Sequence, residues 1–349
     1  MLFSRKCQHK ILFKLSLAAF ILAICVVVLG AFTRLVHAGL GCPDWPGCYG
    51  HLLWPNSSEE ITQANTVFPD SPVDMDKTWP EMVHRYFAGG LGLLILTITI
   101  FCFYRAKNLL KGEKKPPIKH AIGLLILVAL QAAFGMWTVT LQLWPQIVTA
   151  HLLGGFSTLS LLWLFNQRIG GHRWHLSTGQ MDRLKPLKSW FYLALGVVIV
   201  QITLGGWTSA NYAALACPDL PMCLASWWPP MDFISGFNIF QNVGPNYLGG
   251  LLDSGSRTAI HMSHRLGAVT VVLVLIYVGI SMWRTAIPIV RSWVIVLWGV
   301  AALQVALGLS NVFFALPLSI AVAHNAVGAI LLLTLITLLH RIVTISSDQ

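Results

Sequence analysis

Polarity along this chain changes on the scale of whole segments. Eight apolar runs of about twenty residues are separated by stretches that hold most of the charge. The runs cover approximately 12–34, 81–104, 119–139, 146–166, 188–209, 259–282, 292–313 and 319–340. A helix rises ~1.5 Å per residue, so each run can cross a hydrocarbon layer about 30 Å thick. The runs are continuous and do not alternate, which excludes a β-barrel. Composition agrees: 56% of the 349 residues are hydrophobic and 10% charged. That leaves too little polar surface to cover a water-soluble globule. The expected fold is an all-α polytopic membrane protein, in contact with the lipid bilayer along all eight helices.

Charge then sets the orientation. With the N-terminus cytoplasmic, 18 of the 23 basic residues fall on the cytoplasmic side, among them Arg5, Lys6, Lys10, Lys14 and six in the 105–119 loop. Such asymmetry is the topology signal of a multi-pass protein. Ten of the 13 acids fall in outer segments, including Glu59, Glu60, Asp70, Asp74 and Asp76. The +10 net charge therefore reports topology, and no nucleic-acid partner is implied. Both termini are expected in the cytoplasm, with long outer loops at about 35–80 and 210–258.

The chain repeats itself. Leu29-Gly30-Ala31-Phe32-Thr33 returns as Leu204-Gly205-Gly206-Trp207-Thr208, and Cys42 to Cys48 returns as Cys217 to Cys223, both at an offset of 175. Glu81-Met-Val-His84-Arg85 answers His261-Met-Ser-His264-Arg265. Gln131, Gly135 and His151 answer Gln304, Gly308 and His324 at an offset of 173. The first run is thus the partner of the fifth and is expected to be retained, although its basic start resembles a signal peptide. Two pseudo-symmetric four-helix bundles follow, 1–170 and 187–349, joined by a cytoplasmic linker at 171–186. An even number of helices per repeat implies a pseudo-two-fold axis along the membrane normal.

Each half carries one C-x5-C pair in an outer loop, Cys42 with Cys48 and Cys217 with Cys223. The oxidising side of a bacterial plasma membrane and the turn-favouring prolines between the cysteines point to two disulfides. These are structural staples, with a redox-active pair as the alternative reading. The spacing does not suit zinc. Cys7, Cys25 and Cys102 are read as inert.

Four of the 12 histidines stand apart. His84, His151, His264 and His324 fall on the second, fourth, sixth and eighth runs, all of which enter the membrane from outside. Each lies about one to two turns from the outer end, so each half can bring two imidazoles to one depth. Two imidazoles facing each other inside a four-helix bundle are a way to hold a haem. Arg85 and Arg265, each directly after a candidate ligand, are candidate propionate partners. Glycines after the ligands, Gly89, Gly90, Gly154, Gly155, Gly267 and Gly328, suit either a flat ring or close helix packing. The halves differ three residues before the ligand, where one has Glu81 and the other His261. A carboxylate beside a haem can take a proton, so the chemistry is placed in the first half.

At these residues the chain resembles the haem A synthase family. The resemblance covers nearly the whole length: Gly30 to Arg34, Glu81 to Arg85, the histidines at 151, 264 and 324, and a cysteine pair in each half. It implies that His84 and His151 frame a substrate haem O, that His264 and His324 bind a haem b cofactor, and that Glu81 serves catalysis. His261 remains a second candidate beside His264, with the repeat alignment favouring His264. The family reaction oxidises a porphyrin methyl group through the alcohol to a formyl group. The implied partners are haem O synthase and cytochrome oxidase assembly factors, in the plasma (inner) membrane, and a homo-oligomer is compatible with this architecture. The rival reading is a di-haem cytochrome b that carries electrons to or from quinol; a parallel-repeat transporter with histidine proton relays is weaker.

Overall fold

The computed structural model describes residues 5–109 and 113–347. The side chains of Arg5, Lys6 and Cys7 lie outside the described residues, so the readings made on them stay with the sequence. Eleven helices are present among the described residues. In order they are α1 (Arg5–Leu35), α2 (Ser58–Val67), α3 (Met75–Lys107), α4 (Ile118–Thr140), α5 (Pro145–Gly170), α6 (Thr178–Leu184), α7 (Lys188–Ala210), α8 (Phe233–Gly236), α9 (Ser254–Trp283), α10 (Pro288–Phe313) and α11 (Leu318–Val343). Eight of these segments are long and apolar enough to cross a membrane. The protein is a multi-pass, all-α membrane protein.

Several helices run past their apolar runs, because capping sets their ends. Asp74 caps α3 by accepting from the Asp76 amide, so α3 begins six residues before the apolar run expected at 81. Asp253 caps α9 in the same way through the Ser256 amide, 2.7 Å away. A carboxylate at an N-cap satisfies an otherwise unpaired amide and meets the positive end of the helix dipole. His84 and His264 consequently sit two to three turns inside their helices, whereas His151 and His324 stay under two turns from the starts of α5 and α11.

The chain divides into two compact units, each with four spanning helices. The first holds α1, α3, α4 and α5, together with residues 239–251 of the loop between α7 and α9. That loop segment is fastened to the α4–α5 turn: the Trp144 indole donates to Gln241 O (3.1 Å), and the Tyr247 amide to Gln142 O (3.0 Å). The second unit holds α7, α9, α10 and α11. Its linker is not featureless. His175–Leu176 (β1) pairs in parallel with Ser346–Ser347 (β2), tying the last described residues to the segment before α6.

Within the first unit α3 packs on α1 and α4; within the second, α9 packs on α7 and α10, and α11 on α10 and α7. Much of the helix surface facing away from these contacts is apolar and exposed, as at Leu93, Ile100, Ile126, Leu273 and Ile295. That inversion of the soluble-protein pattern is what a lipid-facing surface requires.

Candidate functional site

In each half the two candidate ligand histidines come from two helices, each near its N-terminal end. In the first unit His84 is the tenth residue of α3 and His151 the seventh of α5; in the second, His264 is the eleventh of α9 and His324 the seventh of α11. The two imidazoles of each pair lie within electrostatic reach of one another.

What lets the rings lie there is a glycine on a neighbouring helix. A Cβ added to Gly30 of α1 would stand 2.9 Å from His84 Cε1, and one on Gly205 of α7 would stand 3.1 Å from His264 Cε1. Gly308 of α10 has the same relation to His324 (3.1 Å), and Gly135 of α4 a looser one to His151 (3.5 Å). Any larger residue at Gly30, Gly205 or Gly308 would have to shift the ring beside it. The glycines after the ligands behave otherwise. Gly89 and Gly155 face open space, while Gly154, Gly267 and Gly328 are covered by Gln131, Gln201 and Gln304.

Those glutamines are a feature the histidine pattern did not reveal. Gln201 Nε2 lies 3.0 Å from His264 Nδ1 and donates to His264 O at 2.9 Å. Gln304 Nε2 lies 3.3 Å from His324 Nε2. The repeat puts Val26 opposite Gln201, so the first half has no carboxamide at that place. The repeat itself carried the signal, since Gln131…Gly135 and Gln304…Gly308 recur beside the histidines.

Glu81 is buried, with 5% of its surface exposed. It forms an ion pair with Arg85, and its second carboxylate oxygen accepts from the Cys42 amide at 3.0 Å. As the seventh residue of α3 it lies beyond the first turn, where a helix-terminus charge has its effect. Its counterpart His261 is also buried but faces the loop backbone, with Nδ1 2.9 Å from Ala213 O. One ring nitrogen of His261 is thereby engaged with the loop, whereas His264 lies against the Gly205 cradle.

Arg85 and Arg265, the candidate propionate partners, hydrogen-bond backbone carbonyls of the cysteine loops. Arg85 Nη1 donates to Asp44 O (3.0 Å), Pro46 O (3.3 Å) and Gly47 O (2.6 Å). Arg265 donates to Met222 O (3.0 Å), Cys217 O (2.7 Å) and Asp219 O (2.9 Å). Each arginine clamps the cysteine loop of its own half.

Both loops are closed by disulfides, Cys42–Cys48 and Cys217–Cys223. All four cysteines are buried. The loops share further detail, including cis prolines at Pro46 and Pro221 and antiparallel bridges from Cys48 to His51 and from Cys223 to Ser226. Tyr49 packs under the first loop, where burial, and after it the charges of Glu81, Asp44 and Asp74, push its phenol up to about 12. It stays neutral and its hydroxyl lies 3.3 Å from Pro72 O.

No three His, Cys, Asp or Glu side chains come together to hold a bare metal ion among the described residues. A metalloporphyrin needs fewer, since the macrocycle supplies four donors and the protein two axial ones. Nδ1 of His84, His151 and His324 and Oε1 of Gln201 and Gln304 are buried without a protein partner. Unpaired polar atoms on the paired imidazoles and the glutamines beside them fit a planar iron-bearing ligand better than they fit a closed apolar core.

The family described as cytochrome oxidase assembly protein matches residues 14–336. A haem A synthase of Shewanella oneidensis is 43% identical over 318 residues, which span 91% of this chain and 92% of that one. A haem A synthase of Allorhizobium ampelinum is 27% identical over 346 residues, spanning 94% and 90%, and one of Maricaulis maris is 26% identical over 330, spanning 89% of each.

Proposed function

The chain belongs to the haem A synthase family, and on that premise we propose that it is an oxidoreductase that converts a methyl group of haem O to a formyl group by way of the alcohol. His84 and His151 would frame the substrate haem in the first half. His264 and His324 would hold a resident haem b in the second. When bound, haem b supplies one-electron transfer. The observation that carries this division is the asymmetry at one position: a buried carboxylate, Glu81, lies one turn from His84, while His261 lies one turn from His264 with Nδ1 close to a backbone carbonyl.

The residues of the chain then have distinct tasks. Counted with water as the oxygen source, methyl to alcohol and alcohol to formyl each release two electrons and two protons, so a proton acceptor near the porphyrin is useful in both steps. Glu81 can serve. The Cys42 amide and the Arg85 guanidinium hold its carboxylate in place, and its distance from His84 along the helix keeps it off the iron. His264 is supported over His261 as the resident ligand by its ring lying against Gly205. Under this reading the protein works in the plasma (inner) membrane with both termini cytoplasmic. It receives its substrate from haem O synthase and serves cytochrome oxidase assembly.

The test is the pigment of the purified protein, read as a pyridine haemochrome and by mass. Haem B together with haem A or hydroxylated haem O is expected, and His264→Ala should lose the low-spin haem b signal while the chain still inserts. Haem B alone, with no modified porphyrin from cells making haem O, would overturn the enzyme in favour of a di-haem electron carrier.

A further inference from the structure

The two outer loops occupy equivalent places in the repeat but are made of different material. Between residues 58 and 77 the first contains six charged residues and a capped helix, α2. From 233 to 252 the second contains none. It presents large apolar side chains outward instead, with Ile234 89% and Phe240 83% exposed; just before it Trp227 and Trp228 are 70% and 68% exposed, as Leu52 and Leu53 are 86% and 54% exposed in the first loop.

Hydrogen bonds hold these residues level with the ends of the spanning helices. In the second unit the Trp207 indole, in the last turn of α7, donates to Gly236 O at 2.8 Å, and the Asp232 amide donates to Gly255 O in the first turn of α9 at 3.2 Å. In the first unit Gln146, in the first turn of α5, donates to Ile239 O at 2.9 Å, beside the Trp144 and Tyr247 bonds at the α4–α5 turn. Tied to helix ends in this way, the loop cannot project far into water.

We propose that the segment from Trp227 to Leu251 lies in the outer leaflet of the bilayer, with Trp227, Trp228, Ile234 and Phe240 inserted at the boundary between headgroups and acyl chains. Trp at that depth keeps its ring in apolar surroundings and its N–H near polar groups. Because the segment has no cation, its insertion is driven by apolar area and is indifferent to anionic lipid and to salt, unlike a basic amphipathic anchor. The occupant is lipid, because the helix ends to which the segment is tied stand where the spanning helices leave the hydrocarbon layer and residues 233–252 carry no charge.

The experiment places a nitroxide on Cys at Ile234 or Phe240, one site at a time, in haem-loaded protein whose Cys7, Cys25 and Cys102 are replaced, with Glu59 on α2 as the solvated reference. The protein is reconstituted in phosphatidylcholine nanodiscs, and haem content reports that each variant folds. Collisions with oxygen should exceed those with a water-soluble nickel chelate several-fold at both sites, the reverse of Glu59, with no change on adding salt or anionic lipid. Nickel access equal to that at Glu59 would overturn the proposal by showing a solvated loop. Exclusion of both reagents would also overturn it, by showing that a protein surface covers the segment.

Discussion

Glu81 and His261 show how one substitution within a repeat separates two sites built on the same plan. Both are buried, both begin the same turn of the same helix in their halves, and both reach toward the cysteine loop. The carboxylate accepts from an amide and pairs with Arg85; the imidazole lies against a carbonyl. Only the first brings a negative charge to that position. Glu81→Gln keeps the size and one acceptor but removes the charge, so it should bind haem in both halves while turnover falls by roughly 10²–10⁴-fold. The chromatographic profile of haems from cells with no other copy of the enzyme should show haem O or its alcohol accumulating. Wild-type haem A levels would reduce Glu81 to a loop anchor.

Among the elements, the pairs of helices that carry each ring and its cradle decide whether two imidazoles can meet. α7 and α9 approach closely enough that Gly205 has no room for a methyl group beside His264. Gly205→Ala therefore pushes the ring off its position, at a cost of about 1–3 kcal/mol for overpacking. Gly299 in α10 meets nothing within 4 Å, so Gly299→Ala should be neutral or stabilising by up to ~1 kcal/mol through helix propensity. The expected outcome is loss or broadening of the low-spin haem b signal in Gly205→Ala and an unchanged spectrum in Gly299→Ala. Equal spectra in the two would show that the ring does not depend on the glycine.

At the scale of the whole molecule, topology and the disulfides are tested together. The two bridges close short loops, worth about 2 kcal/mol each in the chain-entropy account, and Arg85 and Arg265 clamp them against α3 and α9. A membrane-impermeant thiol reagent applied to intact spheroplasts should label Cys42, Cys48, Cys217 and Cys223 only after reduction. Labelling without reductant would sink the disulfides; labelling only from the cytoplasmic side would sink the orientation with both termini inside.

The sequence by itself determined the class, the eight crossings and the repeat, because these depend on local composition and on spacing along one chain. Lipid selects apolar runs whatever their partners, and a duplicated half announces itself by offset. Glu81, His84, His151, His264 and His324 were legible for the same reason: ionisable groups inside apolar runs are costly and stand out. What only the tertiary structure decided concerns partners far apart in sequence. The use of Arg85 and Arg265 on carbonyls some 40 residues away, the Gly205 and Gly308 cradles, Gln201 beside His264, and the attachment of residues 239–251 to the first unit all depend on which surfaces meet. A hydrogen bond or a missing Cβ acquires its meaning from the atom across the gap, and spacing along the chain does not say which atom that is.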